Sequence, residues 1–404
     1  MIRIGIVGKT NTGKTTFFNA ATLLSAEVSN YPFTTKTPNV GRANVQTICA
    51  CKELNVKDNP QNSVCAGGWR FIPIELVDLP GLIKGSWMGK GLGTQFLSVA
   101  SQADALLHVV DASGSVDAEG KITRPGLGNP VIDVIDIEEE LVLWFSKVIQ
   151  KSAKKVTKLI DQSRVPVADA FFEALSGIKV RREQIQKALE STDLEKKKIG
   201  SWTEKDFVDF AREIRKLSKP TIIVANKMDV AQAETNYERL RDEFKESFVV
   251  PSSSEAELAL RRAEQKRVIK YIPGGETFDV LDESKLTNEQ KSALNYVQQR
   301  VLPRLVGTGV QSALSMCVFK LLGMNTVYPV EDASRLSDKK GNVLPDVLLT
   351  PHDSTVRDLA REIHTELEKT MIYALDARSG LRLPVDYIVK DRDVISIVAA
   401  AKGK

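Results

Sequence analysis

Gly8-Lys9-Thr10-Asn11-Thr12-Gly13-Lys14-Thr15 follows the apolar run Ile4-Gly5-Ile6-Val7 and precedes Thr16-Phe17-Phe18-Asn19-Ala20-Ala21. The order reads as strand, glycine loop, helix, and the spacing is that of a phosphate-cradling loop. Glycines at both ends let the chain turn tightly, so that the amides of Asn11, Thr12 and Gly13 converge on phosphate oxygens at the positive end of a helix dipole. Lys14 is placed to reach the β- and γ-phosphates, the Thr15 hydroxyl to ligate a magnesium ion, and Thr16 to touch the α-phosphate.

The 404 residues are too many for one compact domain and suggest two or three. With 27% charged and 42% hydrophobic residues the composition is that of an ordinary soluble protein. No uninterrupted apolar run reaches the roughly 18 residues that span a bilayer, and Met1-Ile2-Arg3-Ile4-Gly5 enters the first strand directly, so a cytoplasmic protein with no membrane partner is expected. The net charge, 56 − 52 = +4, is too mild to imply nucleic acid by itself. The three histidines lie in no recognisable nucleophile setting, which disfavours histidine-based catalysis. Four cysteines are too few for a disulfide framework. Cys49, Cys51 and Cys65 leave two readings open, a metal site or ordinary strand and loop cysteines.

Further motifs extend the site. The polar, proline-bounded segment Asn30-Tyr31-Pro32-Phe33-Thr34-Thr35-Lys36-Thr37-Pro38-Asn39 reads as a loop in which a threonine hydroxyl closes on magnesium, Thr35 first and Thr34 as the fallback. A strand around Phe71 to Val77 ends in Asp78-Leu79-Pro80-Gly81, a carboxylate where parallel sheets hold their ligands. Asp78 is assigned to magnesium, directly or through water, and the Gly81 amide to the γ-phosphate. Gly85, Gly89, Gly91 and Gly93 then mark a segment with several hinge positions. A second strand, Thr221 to Ala225, ends in Asn226-Lys227-Met228-Asp229. The Asp229 carboxylate can accept two hydrogen bonds from guanine that adenine cannot supply, which discriminates by about 10⁴ to 10⁵. Asn226 holds the loop or the base edge, and the Lys227 stem lies on the base. Ser253 and Ser254, after the strand Phe248-Val249-Val250-Pro251, occupy the place of a base-backing loop.

Asp78 and Asn226 are 148 positions apart, roughly ninety more than a minimal domain with these motifs needs. The excess reads as helical. Leu141, Phe145, Val148, Val156, Leu159 and Ile160 form one apolar face, and Lys147, Lys151, Lys154 and Lys158 fall opposite it. Between Lys147 and Lys198 thirteen basic residues face seven acids, a local excess of six. A solvated lysine face and a surface for RNA phosphates both fit. Two further helices carry Ile178, Val180, Ile185 and Leu189, and Phe207, Phe210, Ile214 and Leu217. Past helical stretches near Thr287 to Leu302 and Gln311 to Leu322, strands at 326–330, 343–349, 371–375 and 394–398 surround a helix from Thr355 to Thr370. That order suits a ubiquitin-like grasp.

These motifs resemble the Obg-related P-loop GTPases, and the layout resembles their YchF branch, in particular its archaeal Obg-like members. The residues that carry the resemblance span almost the full chain: the phosphate loop, Asn30 to Thr35, Asp78-Leu79-Pro80-Gly81, the helical insertion, and Val327-Tyr328-Pro329-Val330-Glu331-Asp332, which opens what looks like a TGS domain. The fold implied is an α/β P-loop NTPase domain of the TRAFAC GTPase class over 1–130 and 217–275. An inserted α-helical, coiled-coil domain over 131–216, a helical connector over 276–325 and a β-grasp TGS domain over 326–404 complete it. The family implies GTP and GDP as ligands, and the ribosome or translation-linked RNA as partner. Bacterial and eukaryotic YchF proteins generally lack the terminal aspartate of the base motif and prefer ATP, whereas Asp229 is present here and argues for GTP. Leu82 stands where Ras-like switches put a water-orienting glutamine, so turnover should be slow, at roughly 10⁻⁴ to 10⁻² s⁻¹. Asn11 stands where potassium-using relatives carry their asparagine ligand, which makes K⁺ a second expected cofactor beside Mg²⁺. The expected reaction is attack of water on the γ-phosphate, with Lys14, Thr35 and Gly81 as catalytic groups and no protein nucleophile. A nucleotide-gated ribosome- or RNA-binding module with negligible hydrolysis, an ATP-preferring enzyme and a kinase are the competing readings.

Overall fold

The computed structural model describes residues 1–26, 38–82, 85–88 and 93–400. Two compact units emerge, Met1–Ala43 with Ile74–Ala313, and Asn44–Pro73 with Leu314–Lys404. In chain order the first elements are β1 (Arg3–Val7), α1 (Lys14–Thr22), β2 (Asn39–Ile48), α2 (Ala50–Leu54), β3 (Val64–Ala66), β4 (Trp69–Asp78), α3 (Gly93–Ala100) and β5 (Ala105–Asp111). There follow α4 (Pro130–Ser163), α5 (Val167–Ala174), α6 (Arg182–Ser191), α7 (Glu204–Ser218), β6 (Thr221–Asn226), α8 (Ala233–Glu243), β7 (Val249–Pro251) and α9 (Ser254–Gln265). The first unit closes with the hairpin β8 (Ile269–Tyr271) and β9 (Phe278–Val280), then α10 (Asn288–Tyr296) and α11 (Leu302–Leu305). A helix α12 (Val310–Met316) follows.

The sheet order is β2-β4-β1-β5-β6-β7, with β3 on β4. The pairs β4–β1, β1–β5, β5–β6 and β6–β7 are parallel. β5 is buried at every position, as an apolar run in a sheet covered on both faces should be. Register aligns the strand ends: Ile6 lies opposite Asp78, Asp111 opposite Asn226, and Ala225 opposite Pro251. The phosphate loop, Asp78, Asp111, Asn226 and Ser252–Ser254 therefore share one edge, the carboxyl edge on which open α/β sheets bind ligands.

The inserted helices are packed on this sheet. One continuous cluster joins Val7, Val77 and Leu82 to Leu141, Phe145, Phe171 and Phe210. Phe171 lies against Trp202 and Phe210 with ring centroids 5.6 and 5.1 Å away, a geometry that favours aromatic pairs beyond their burial. Helix α4 starts where Asn129 accepts the Val131 amide and Pro130 occupies the first turn, a strong N-terminal signal. It runs 34 residues, until Arg164 turns left-handed. Helix α7 opens with a reciprocal cap between Thr203 and Asp206.

In the second unit, β10 (Met324–Val330), β11 (Leu348–Pro351), α13 (Val356–Ile363), α14 (Thr365–Thr370), β12 (Met371–Asp376), β13 (Arg382–Leu383) and β14 (Asp393–Ala399) form a grasp of order β11-β10-β14-β12-β13. Val356 and Leu359 of α13 pack on Val327, Ala374 and Ile395.

Three details differ from the sequence expectations. Residues 44–73, counted there with the nucleotide domain, cluster with the C-terminal unit; Asn59 and Gln61 donate backbone hydrogen bonds to Val343 and Pro345, contacts made by residues nearly three hundred positions apart. The expected second grasp strand at 343–349 lies at Leu348–Pro351, and the helix 355–370 is broken at His364, whose backbone is extended and whose Nδ1 accepts the Glu366 amide to cap α14. Finally, Asn288–Leu321 is long and apolar enough to cross a membrane, although most of its apolar stretch is buried inside the protein. Positive φ at Val306, Gly307 and Gly309 interrupts it, so it is not one rod.

Candidate functional site

In the phosphate loop Gly8, Asn11 and Gly13 take φ of 146°, 62° and 96°. Both glycines are required by space as well as by conformation: a Cβ at Gly8 would lie 2.3 Å from the Val109 carbonyl, and one at Gly13 would lie 2.2 Å from Asn226 Nδ2. Gly13 ends the loop and α1 begins with Lys14, with no side chain capping the helix. The first amides of α1 thus remain available to an anion. Lys14 is buried and its amine donates to the Lys9 carbonyl. Burial lowers its pKa to about 8 against the opposing pull of Asp78, and a polyphosphate would supply the missing countercharge.

Asp78, the last residue of β4, is fully buried. Its Oδ2 accepts from Thr15 Oγ1 at 2.8 Å and from Asn39 Nδ2 at 3.3 Å. Its Oδ1 has no hydrogen-bond partner among the described residues. Burial raises the Asp78 pKa, opposed by Lys14, Thr15 and Asn39. A buried carboxylate with one orphaned oxygen, beside a threonine hydroxyl, fits a hard divalent cation such as magnesium. Gly81 lies against the phosphate loop so closely that a Cβ would sit 2.4 Å from Thr10 Cγ2 and 2.8 Å from the Thr10 nitrogen. Thr35 and Thr34 lie outside the described residues, as do Gly89 and Gly91. Thr16 stands in the first turn of α1.

The base motif is locked from below. Asn226 is 2% exposed. Its Nδ2 donates to the Thr12 carbonyl at 2.9 Å, and its Oδ1 accepts from the Ser254 amide and hydroxyl at 3.1 and 2.8 Å. Of the two roles expected for Asn226, it takes that of holding the loop. Asp229 Oδ1 accepts from Ser253 Oγ at 2.7 Å, which orients the carboxylate; Ser253 also caps α9. Lys227, with φ 63°, reaches Asp111 Oδ2 at 2.8 Å and Ser115 Oγ at 3.1 Å.

Several partners escaped the sequence reading. Asp111 also accepts from the Ser113 and Ser115 amides, and it ends β5 just as Asp78 ends β4. The same strand-end rule that selected Asp78 would have found it. Asn11 Nδ2 donates to the Gly120 carbonyl at 2.9 Å, which ties the phosphate loop to residues after β5. Lys9, within the phosphate loop, is paired at 2.5 Å with Asp133 of α4, both side chains about 5% exposed (4% and 6%). Burial raises the Asp133 pKa, an effect opposed mainly by Lys9. One turn pair further along α4, Glu140 accepts from the Gly85 amide at 2.5 Å and the Trp87 amide at 2.9 Å. Lys147 lies 5.7 Å from the Trp87 ring centroid. Lys151, Lys154 and Lys158 are exposed and form no ion pair among the described residues. No local signal in the sequence joins Lys9 to a carboxylate 124 positions away.

Comparison with known proteins gives a concordant picture. A family profile described as 50S ribosome-binding GTPase matches residues 3–227, one for an Obg-like GTPase YGR210-like, G4 motif-containing domain matches 224–332, and one for the TGS domain matches 339–399. An uncharacterized GTP-binding protein of Methanocaldococcus jannaschii is 45% identical over 402 residues, covering 100% of both chains. The ribosome-binding ATPase YchF of Bacillus subtilis is 33% identical over 403 residues, covering 97% of each. The crystal structure of a GTP-binding protein from Pyrococcus horikoshii superposes with a TM-score of 0.79 at 35% identity, covering 99% of this chain and 100% of that one. With its phosphate loop, its G domain and its C-terminal TGS domain, this chain belongs to the Obg-like, YchF-type family of P-loop GTP-binding proteins.

Proposed function

We propose that this protein is a GTP-selective, magnesium-dependent switch that hydrolyses GTP slowly and passes its nucleotide state along α4 to ribosomes or translation-associated RNA in the cytoplasm. The observation that carries the reading is the orientation of Asp229 by Ser253, on a strand end that Asn226 bolts to the phosphate loop through Thr12. A carboxylate held in this way matches the paired N–H donors of guanine and leaves adenine's edge unmatched.

Thr15 and Asp78 would hold the magnesium ion, with Thr35 as a further ligand. When bound, the ion neutralises charge developing on the β- and γ-phosphate oxygens. The amides of Asn11 to Thr15 and the Lys14 amine bind and orient the polyphosphate, and the Gly81 amide is placed to donate to the γ-phosphate. Leu82, 2% exposed and part of the core, offers attacking water no hydrogen bond, so hydrolysis without a partner is slow. Asn11, its amide nitrogen fixed on Gly120, is assigned to a potassium ion. The arm residues 131–216 act as the output, because Asp133 and Glu140 of α4 touch the phosphate loop and the segment after Gly81.

Buried Leu82 equally suits a module whose hydrolysis is negligible until a partner supplies a missing group. Single-turnover hydrolysis of labelled GTP, with and without ribosomes and in potassium against sodium buffers, separates the two. The switch reading expects measurable turnover without ribosomes and a faster rate with them and with potassium. No turnover without ribosomes would support the module. Equal rates in the two salts would remove potassium from the account.

A further inference from the structure

The second unit contains a cluster of chemistry that the nucleotide site does not use. Cys49, Cys51, Asp58 and Cys65 each present a ligand atom, and these four atoms lie within 4.8 Å of one another. Cys49 follows β2, Cys51 is on α2, Asp58 lies in the irregular run after it, and Cys65 is the central residue of β3. The spacing C-x-C-x₆-D-x₆-C thus brings together one short excursion of the chain. Cys49 and Cys51 are buried and Cys65 is half-buried, all three with free thiols.

From these contacts we propose that Cys49, Cys51, Asp58 and Cys65 form a zinc site, structural in role, that clips the excursion 49–65 into a single fold. Thiolates 2.3 Å from a tetrahedral zinc stand about 3.75 Å apart. Cys51 Sγ and Cys65 Sγ are 3.7 Å apart, and Cys49 Sγ is 3.2 Å from Asp58 Oδ2. Two opposite edges of the tetrahedron are therefore already near their required length, and the widest pair needs to close by about 1 Å. A thiolate-rich, four-ligand set selects zinc over magnesium or calcium, which take oxygen ligands.

The surroundings support a closed site. Arg70 is completely buried and its NH2 group lies 3.3 Å from Asp58 Oδ2. It stands opposite Cys65 in the β3–β4 hairpin. Three thiolates and a carboxylate around a dication leave two negative charges, and the guanidinium offsets one of them while fixing the carboxylate from outside. Arg70 is itself held by the Leu344 carbonyl and the Ser63 hydroxyl, each at 3.0 Å. With four protein ligands and a buried outer partner, the site has no open position for substrate.

The test uses the full chain purified without added metal. Elemental analysis should find one zinc per chain, and cobalt chloride added to chelator-treated protein should give the intense thiolate-to-cobalt absorption of a tetrahedral sulfur site. Cys65→Ser, at the half-buried thiol, and Asp58→Asn should each lower the zinc content and the thermal midpoint, whereas Cys317→Ser should retain the full metal content. Absence of stoichiometric zinc together with no cobalt absorption would overturn the proposal. So would a Cys51–Cys65 disulfide in the protein as isolated, or a zinc content unchanged in a Cys51→Ser, Cys65→Ser double variant.

Discussion

Replacing Lys9 by Met removes the cation of a pair whose two side chains are 4% and 6% exposed and whose charged atoms stand 2.5 Å apart. Water cannot reach the Asp133 carboxylate that remains, so the loss is of the buried kind, about 3 to 5 kcal/mol, and not the 0 to 1 kcal/mol of a surface pair. Asp133→Leu should incur a similar loss by stranding Lys9. The double variant, with neither charge left, should recover to within about 1 kcal/mol of the wild type, a coupling of several kcal/mol between two residues that the sequence separates by 124 positions. Lys155 and Glu173 provide the control, 3.4 Å apart but 57% and 60% exposed; breaking that pair should change stability by less than about 1 kcal/mol. The pH adds an independent check. Burial already raises the Asp133 pKa, and Lys9 opposes it. Without Lys9 the carboxyl protonates more readily, so the deficit of Lys9→Met relative to wild type shrinks as pH falls. Urea unfolding of the wild type, these three variants and the Lys155–Glu173 control at pH 8 and pH 5 measures every quantity. Single-variant losses below about 1 kcal/mol, or losses that simply add in the double variant, would refute the coupling of the phosphate loop to α4.

The remaining predictions are independent of that pair. His108, 3% exposed in β5, is held down to about 3 by burial and by the charges of Arg215 and Lys14. It stays neutral in the fold but takes a proton in the unfolded chain below about pH 6.5, so stability drains away as pH falls from there. Between pH 7 and pH 5 this term is worth about 2 kcal/mol, and His108→Leu should flatten the pH dependence of urea unfolding by that amount; an unchanged slope would contradict the assignment. Changing Lys151, Lys154 and Lys158 together to Glu should weaken RNA or ribosome retention at least tenfold and reduce the slope of log affinity against log salt by about 2 to 3. GTP affinity should remain unchanged, and retention equal to wild type would leave the lysines as a solvated face.

Much of the nucleotide site was legible because its parts are local. Gly8 to Thr15, Asp78 and Asn226 to Asp229 each sit at the end of a strand whose apolar run is visible in the sequence, and parallel strands bring those ends to one edge. Ser253 and Ser254 hydrogen-bond to Asp229 and Asn226, partners that the sequence does not reveal. What stayed hidden is long-range pairing. The Lys9–Asp133 bond, the hold of Glu140 on Gly85 and Trp87, and Lys227 on Asp111 join elements that carry no mark of each other in the chain. The excursion 44–73 was misassigned for the same reason: Asn62 and Arg70 bond to Val347 and Leu344, and only the folded C-terminal unit reveals it. In the grasp domain the pattern placed four of the five strands in order and missed the two-residue β13, and Leu344 and Val347, apolar and buried, imitate a strand while lying in a loop.

Calorimetric titration of the purified chain with GTP and with ATP in magnesium buffer, repeated on Asp229→Asn, bears most directly on the proposed preference for guanine. The account predicts GTP binding tighter than ATP by about 10⁴, with the ratio falling below about 10² when Asp229 loses its charge and its paired acceptance. Equal affinities for the two nucleotides, or a ratio that Asp229→Asn leaves unmoved, would contradict it.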